Sequence, residues 1–453
     1  MWSKIIAGIK NKHFLSLAGN IIMSGLGMVT MAIIYRALPI TEAGIWVFFQ
    51  SILLLVDTFR SGFLTTAFIK FYAGSTKERM ADVAGSTWFI AMCITGILLL
   101  VNIPVFFFLH LIKDPGLIMF FKWFGLCYIF TLPWFIATCI LQGDQRFDQL
   151  LYVRLVNQGS FIIIVLVLIF TGHVGLMNVL YGYLAANLIT SLYALAMGWA
   201  RVGSIKHRTK ATIKEIFDFG KFSVGTTLSA NMFRTSDVMI IHAMLGDGAV
   251  AVYNLGQTLM QLVEIPLRSF AATGMPELSA AYNRDSKSEV IRVMKKYVGM
   301  LTVILIPAVL IGSALADLPI LIIGGGKYAG TVAGTEAANV FRLFLTFALL
   351  YPADRFFALT LDVIHQPKIN FYKVLMMLAS NITFDFLGIF IFHNIYGVAV
   401  TTVMPVLVGV IVGFWALQKY QKFSFISVYK TGYAETKLLF NQLIQKIRPS
   451  KAA

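Results

Sequence analysis

Residues 84–109 read AGSTWFIAMCITGILLLVNIPVFFFL, a run without a single Asp, Glu, Lys, Arg or His. A helix rises about 1.5 Å per residue, so this run is long enough to cross the roughly 30 Å hydrocarbon core of a bilayer. The run therefore predicts a membrane-spanning helix.

The composition of the whole chain agrees with that prediction. Of its 453 residues, 58% are hydrophobic and only 13% are charged, and the mean hydropathy is +0.79. A soluble domain carries about 25% charged residues, so most soluble folds are excluded. Cys93, Cys127 and Cys139 lie in apolar runs, without the spacing of a disulfide framework or a metal site.

Apolar runs of about 20 residues or more recur from end to end. They predict an all-α polytopic membrane protein with about twelve transmembrane helices. The runs lie near 15–38, 43–73, 84–109, 117–141, 150–172, 174–199, 216–244, 249–280, 293–316, 337–361, 368–392 and 396–418. A basic cytoplasmic linker at 201–215 would divide the chain into an N-lobe of six helices (1–200) and a C-lobe of six (216–418). The residues after 418 form a basic tail.

The formal net charge of +16 mainly predicts orientation. If both termini are cytoplasmic, 25 Lys and Arg residues lie on that side, against Lys113 and Lys327 on the other. The positive-inside rule therefore places both termini in the cytoplasm. Residues 419–453 interleave Tyr, Phe and Leu with lysines, which favours a cytoplasmic amphipathic helix on anionic lipids over a nucleic-acid patch.

Several ionisable residues fall inside the predicted spans, where each costs about 2.5 kcal/mol or more unless it faces protein or water. They form pairs three or four residues apart, which share a helix face. The pairs are Asp57 with Arg60, Arg234 with Asp237, and Glu264 with Arg268. Aligning 33–57 on 240–264 places Asp57 on Glu264, which suggests that the two halves are pseudo-symmetric repeats.

Two interpretations of these pairs stay open. They are either buried structural ion pairs, or they line one hydrated cavity. In the second case Arg60, Arg268, Arg234 and Arg36 would bind a diphosphate, with Asp57 and Glu264 as charge partners, because Arg binds phosphate with two parallel hydrogen bonds and stays charged.

A second polar cluster combines Asp237 with Asn381, Asp385 and Thr401. Asn381 and Asp385 are four apart on the eleventh predicted span, and the predicted topology places all four side chains at similar depth. Carboxylate, amide and hydroxyl oxygens suit a hard cation such as Na⁺, or a proton. The alternative is that Asn381 and Asp385 make a helix-packing hydrogen bond and that Asp237 only pairs with Arg234.

Several segments in both halves resemble the multidrug/oligosaccharidyl-lipid/polysaccharide (MOP) exporter superfamily, specifically its polysaccharide-subunit flippases of the O-antigen type. The likeness extends over essentially the whole chain, and its individual motifs are short. The segments are Tyr35-Arg36-Ala37-Leu38, Glu42-Ala43-Gly44, Gln50 to Asp57, Gly62 to Phe68, Arg234-Thr235-Ser236-Asp237, Val252-Tyr253-Asn254 and Pro276-Glu277-Leu278.

The resemblance implies a MATE-like fold of two six-helix lobes that work by alternating access. It implies a secondary-active transporter rather than an enzyme, located in the bacterial inner membrane. The implied substrate is an undecaprenyl-diphosphate-linked oligosaccharide, a polysaccharide or O-antigen (lipopolysaccharide) repeat unit, moved from the cytoplasmic to the periplasmic leaflet. Other polysaccharide-assembly proteins are implied as partners, and no cofactor is expected beyond Na⁺ or H⁺ as a coupling ion.

Lipid II flippases of this superfamily carry a sodium site whose pattern matches Asp237, Asn381, Asp385 and Thr401 here, with Gly397 as a further ligand. They also have fourteen helices and an arginine within the first, whereas Gly25 to Met31 is uncharged here, which argues against lipid II as substrate.

Two other functions are alternatives. One is a multidrug/cation antiporter of the same superfamily, although arginines suit a lumen for organic cations poorly. The other is a membrane glycan polymerase or glycosyltransferase, although the longest predicted outer loop, 317–336, contains no His.

Overall fold

The computed structural model describes residues 12–447, and the regular elements in that range are all helices. Short 3₁₀ helices lie at Leu109–Leu111, Val202–His207 and Gly325–Lys327. The α-helices are α1 (Lys12–Ala37), α2 (Ile40–Tyr72), α3 (Lys77–Phe107), α4 (Pro115–Gly143), α5 (Phe147–Phe170), α6 (Leu176–Ala196), α7 (Lys210–Leu245), α8 (Asp247–Leu259), α9 (Gln261–Asn283), α10 (Lys287–Ala314), α11 (Asp317–Gly324), α12 (Val332–Ala348), α13 (Tyr351–Val363), α14 (Pro367–Phe392), α15 (Ile395–Thr401), α16 (Val403–Tyr420) and α17 (Phe425–Ile447).

By length and composition, the described residues contain nine helices that could cross a membrane, or ten if α12 and α13 form one span bent by 50°. Ten of the twelve predicted spans are thereby supported. The seventh and eighth runs are helical, but α7 carries several charges, and the eighth run is broken into α8 and α9 around Met260. The cytoplasmic placement of the termini stays a prediction, and Lys4, Lys10, Arg448 and Lys451, which contribute to it, lie outside the described residues.

Polar residues at the start of the helices explain where several of them begin. Thr76, Asp114, Thr209 and Ser286 each accept a hydrogen bond from a backbone N–H in the first turn of α3, α4, α7 and α10. These N–H groups have no partner within the helix, so a side-chain oxygen at this position stabilises the helix start.

The chain divides into two compact units. Unit 1 is Met1–Val252 with Ile322–Lys327, and unit 2 is Tyr253–Leu321 with Tyr328–Ala453. This division differs from the predicted lobes, because α7 lies in unit 1. The physical reason is its packing along α2: Asn231 Nδ2 donates to Thr58 Oγ1 at 2.6 Å, and a Cβ on Gly62 would lie 2.9 Å from Thr227 Cβ.

The predicted linker at 201–215 is a packed part of unit 1. The 3₁₀ helix Val202–His207 lies against α3 so closely that a Cβ on Gly85 would be 2.1 Å from the Ser204 carbonyl oxygen. The buried indole of Trp88 donates from Nε1 to the Ala200 carbonyl at 2.8 Å. The connection is therefore anchored to the helices of the first half.

In unit 2, the basic tail forms the helix α17, of which one face packs against α10. Gly432 meets Gly299 at backbone distance, where a Cβ on either glycine would overlap the other backbone, and Val428 is fully buried. Lys430 and Lys437 stay exposed on the other face. The contact of this segment with anionic lipids stays a prediction, and residues 448–453 lie outside the described part of the chain.

Candidate functional site

Arg60 is enclosed between α2 and α4 of unit 1. Its Nη2 donates to Asp57 Oδ1 at 2.7 Å and to Thr131 Oγ1 at 2.9 Å, and its Nη1 donates to the Tyr128 carbonyl at 3.1 Å. The guanidinium also lies 4.6 Å from the ring centroid of Tyr128 and 4.8 Å from that of Phe135.

Only 2% of Arg60 is exposed, so its guanidinium does not line an open cavity in this structure. Of the two interpretations given for Asp57 and Arg60, the geometry favours the structural ion pair, which lets α2 carry a cation by hydrogen-bonding it to α4. The Asp57 side chain keeps 29% exposure.

Arg36 is exposed at the end of α1 and contacts the segment Ile322–Lys327. Its Nη2 donates to the Ile322 carbonyl at 2.5 Å. From the same segment, Lys327 Nζ donates to the carbonyls of Ala37 and Leu38, each at 3.0 Å. The last carbonyls of a helix lack partners within the helix and carry partial negative charge, so Lys327 caps the end of α1 and Arg36 caps the end of α11. Arg36 therefore has a packing role in this structure.

Arg234 lies in the middle of α7 and is exposed. Within residues 12–447, no carboxylate lies within ion-pair distance of its guanidinium, so the predicted pair with Asp237 is absent. Asp237 itself is 4% exposed. Arg234 is about 16 Å along α7 from its end at Leu245, taking about 1.5 Å per residue, and the sequence predicts that this part of α7 spans the membrane.

In unit 2, Arg268 and Glu264 form the predicted pair on α9, with Nη2 2.5 Å from Oε2. Their side chains are 52% and 46% exposed. Both charges therefore lie on a face of α9 that other helices of unit 2 leave uncovered.

Three members of the predicted cation cluster lie together in unit 2. Asn381 Nδ2 donates to Asp385 Oδ2 at 2.9 Å, and Thr401 Oγ1 lies 3.5 Å from Asp385 Oδ1. Thr401 Oγ1 also donates to the Gly397 carbonyl at 2.8 Å. Asn381 is 1% exposed and Asp385 is fully buried. The fourth predicted ligand, Asp237, belongs to unit 1.

Close backbone contact between α14 and α15 explains this cluster. A Cβ on Gly388 would lie 2.5 Å from the Gly397 carbonyl oxygen, and a Cβ on Gly397 would lie 2.2 Å from the Gly388 carbonyl oxygen. Only glycine allows two helices to approach this closely. The approach brings the hydroxyl of Thr401 to the carboxylate of Asp385.

Two charged clusters were not identified as sites from the sequence. Lys373 is one of the 25 Lys and Arg residues that the sequence places on the cytoplasmic side. In the structure it is 2% exposed inside α14, and its Nζ donates to Asp354 Oδ1 at 2.6 Å. His242, near the end of α7, lies between Asp114 and Asp247. No linear pattern predicts these clusters, because their members are on separate helices.

Comparisons with known proteins place the chain in a family. Residues 9–281 match the family described as polysaccharide biosynthesis protein, which is more than half of the chain. The chain belongs to the polysaccharide biosynthesis protein family. This family is part of the MOP exporter superfamily, whose members are transporters rather than enzymes. No curated protein matches the chain.

Solved structures show the same fold at low sequence identity. An inward-facing multidrug resistance MATE family transporter of the MOP superfamily is 15% identical with a TM-score of 0.73, covering 91% of this chain and 100% of that one. The lipid II flippase MurJ, in an inward closed conformation, is 16% identical with a TM-score of 0.73, covering 96% and 94%. An outward-facing MATE family transporter is 15% identical with a TM-score of 0.62, covering 92% and 96%. The MATE-like fold predicted from the sequence is thereby confirmed, and the chain is a multi-pass membrane protein.

Proposed function

We propose that this protein is a flippase for an undecaprenyl-diphosphate-linked oligosaccharide, moving it from the cytoplasmic to the outer leaflet of the bacterial inner membrane. The family is named for polysaccharide biosynthesis, and the fold is shared with a lipid II flippase and with multidrug transporters. A carrier for such a substrate needs cationic groups within the membrane that can receive a diphosphate.

The observation that carries the proposal is the exposed Arg234 in the middle of α7. A charge at mid-bilayer costs about 2.5 kcal/mol or more if it faces lipid, so it normally faces a hydrated cavity. Its guanidinium has no ion-pair partner among the described residues, so its hydrogen-bond donors are available for phosphate. In unit 2, taken by itself, Arg268 is also an exposed guanidinium, and a phosphate bound to it would compete with Glu264. Arg60 and Arg36 are left out of the proposed phosphate site, because both are held by protein groups.

The test is translocation of a fluorescent polyprenyl-diphosphate-glycan in proteoliposomes. Loss of a charge-assisted hydrogen bond costs about 1.5–3 kcal/mol, so Arg234→Gln should lower the initial rate by about ten- to a hundredfold. Arg154→Gln, which removes an arginine bonded to Asn20 near the start of α5, is the matched control and should keep the wild-type rate. A wild-type rate in Arg234→Gln, or transport of an organic cation in place of the lipid, would contradict the proposal.

We also propose that a cation binds at Asp385 and couples transport to an ion gradient. The Asp385 carboxylate, the Thr401 hydroxyl and the Gly397 carbonyl supply oxygens, and turning the Asn381 amide over would present its Oδ1 as well. An all-oxygen set of this kind fits Na⁺. One positive charge moved across the membrane potential is worth about 2.3 kcal/mol per 100 mV, enough to bias a two-state transporter.

Binding is tested by melting the purified protein in NaCl or in KCl at equal ionic strength. Wild type should melt higher in NaCl, and Asp385→Asn should remove the difference. Asp237→Asn, measured separately, tests the role predicted for Asp237. Equal melting of wild type in the two salts, with faster transport under an imposed pH gradient, would instead assign the coupling ion as H⁺. A Na⁺ response that survives in Asp385→Asn would place the site elsewhere.

A further inference from the structure

One side of unit 1 is predicted to face away from the cytoplasm. On this side, several contacts join the first 200 residues to residues after 216. The Tyr35 hydroxyl donates to the Ala251 carbonyl at 3.1 Å. Arg36 and Lys327 join the end of α1 to Ile322–Lys327, as described above. His242, on α7, contacts Asp114 at the start of α4. We call these contacts the outer clasp.

His242 is held from both sides by carboxylates. Its Nε2 lies 2.7 Å from Asp114 Oδ2, and its Nδ1 lies 2.8 Å from Asp247 Oδ1. The His242 side chain is 8% exposed, and its ring stacks on Phe48 with 3.4 Å between centroids and 14° between planes. A Cβ on Gly44 would overlap the Asp247 carbonyl oxygen, so α2 and the start of α8 are in backbone contact here.

In the part of the chain that the structure describes, the charged groups around the ring are two carboxylates, without a cationic side chain. Asp114 comes from α4 and Asp247 from α8, whereas α2 contributes the ring of Phe48. Within residues 12–447, the only cationic partner of either carboxylate is His242. Asp114 Oδ1 also accepts the Leu117 N–H at 2.7 Å at the start of α4, where a helix favours negative charge.

This geometry favours the protonated imidazole, because each ring nitrogen lies within 2.8 Å of a carboxylate oxygen. A neutral imidazole has one N–H and one lone pair, so one of its two nitrogens would place a lone pair against a carboxylate oxygen less than 3 Å away. The imidazolium has an N–H on each nitrogen and a positive charge, so it can hydrogen-bond Asp114 through Nε2 and attract Asp247 through Nδ1. His242 Nδ1 and Asp247 Oδ1 have no hydrogen-bond partner among the described residues, so their 2.8 Å contact is an ion pair, and loss of the ring proton would remove its attraction.

We propose that His242, with Asp114 and Asp247, is a proton-binding site that locks the outer clasp. The proposal rests on the alternating access of the proposed function, since the halves joined by the clasp must separate on the outer side for release. In the closed clasp, His242 binds its proton tightly between the two carboxylates. In the open clasp the imidazole is hydrated and binds the proton less tightly. Acid on the outer side therefore favours the closed clasp, and a rise in pH favours opening, by up to tenfold in the closed-to-open ratio per pH unit for a single proton.

The test measures thiol accessibility of the empty, reconstituted full-length protein. Ala251→Cys introduces a thiol at a fully buried position of the clasp, after Cys93, Cys127 and Cys139 are replaced by Ala. We measure its rate of modification by a membrane-impermeant reagent. This rate is divided by the rate for Leu111→Cys, an exposed position of the predicted outer loop. The division removes the intrinsic pH dependence of the thiolate reaction. We expect this ratio to rise at least tenfold from pH 5 to pH 8.

Three variants complete the test. His242→Gln should remove the pH dependence, and His242→Lys, charged throughout this range, should keep the ratio low at both values. His110→Gln changes an exposed histidine near Leu111 and should keep the wild-type profile. A full pH dependence in His242→Gln, or none in the wild-type background, would overturn the proposal. Because no lipid-linked substrate is present, the result is independent of whether the proposed transport function is correct.

Discussion

Removing either member of the Lys373–Asp354 pair should destabilise the protein, but by different amounts. Lys373 on α14 is 2% exposed, and the Asp354 side chain, in the first turn of α13, is 25% exposed. The ammonium has two acceptors, Asp354 Oδ1 at 2.6 Å and the Asp354 carbonyl at 3.4 Å. Asp354→Asn therefore leaves a buried cation without a counter-charge, whereas Lys373→Met leaves a carboxylate that water can reach.

The magnitudes follow from this difference in exposure. Breaking a buried ion pair by removing one partner costs about 3–5 kcal/mol when the remaining charge stays buried. We expect Asp354→Asn to lie in that range. For Lys373→Met we expect about 1–2 kcal/mol, because hydration offsets much of the penalty on Asp354 and Met fills most of the space of the Lys side chain. The double variant Lys373→Met/Asp354→Asn should be more stable than Asp354→Asn alone.

The assay is equilibrium unfolding in mixed micelles, with the free energy of unfolding compared among the four proteins. Thermal melting by size-exclusion fluorescence gives an independent ranking. We expect the free energy of unfolding to decrease from wild type to Lys373→Met and again to Asp354→Asn. Equal costs for the two single variants, or a larger cost for Lys373→Met, would refute the reasoning that exposure decides the penalty.

Two further predictions concern packing. Gly388→Ala places a Cβ 2.5 Å from the Gly397 carbonyl oxygen and should cost about 1–3 kcal/mol, measured by the same unfolding assay. Gly159→Ala on α5 is its control, because among the described residues no atom outside its own stretch of helix lies within 4 Å of the new Cβ. This variant should be neutral or slightly stabilising, so a similar loss in both would contradict the steric argument. Trp88→Phe removes the hydrogen bond to the Ala200 carbonyl and should cost about 1–2 kcal/mol. Unchanged stability would mean that the 3₁₀ segment after α6 is not held by this bond.

The outcomes for the arginines show what could be predicted from the sequence. Helix periodicity correctly paired Arg60 with Asp57 and Arg268 with Glu264, because residues three or four apart share a face. Periodicity does not identify the helix that covers that face. Arg60 is covered by α4, whereas Arg268 is exposed, so one became a packed ion pair and the other a candidate ligand.

The cation cluster and the ion pair of Lys373 show the same contrast between contacts that helix spacing predicts and contacts that depend on the neighbouring helix. Asn381 and Asp385 were found because they are four apart on one helix, and the predicted topology added Thr401 because it places this residue at a similar depth. The ion pair of Lys373, which was counted among the cytoplasmic basic residues, was missed because its partner, Asp354, lies on another helix behind a 50° bend that no local pattern predicts.

The sequence alone determined that the chain is an α-helical membrane protein, because each long apolar run favours the membrane whichever segments lie beside it. It also predicted which polar residues share a helix face. Only the tertiary structure decided which of those residues are enclosed, that α7 joins unit 1, and that His242 lies between two acids. These features depend on which helices are neighbours, and that choice is set by side-chain and glycine contacts between segments far apart in the chain.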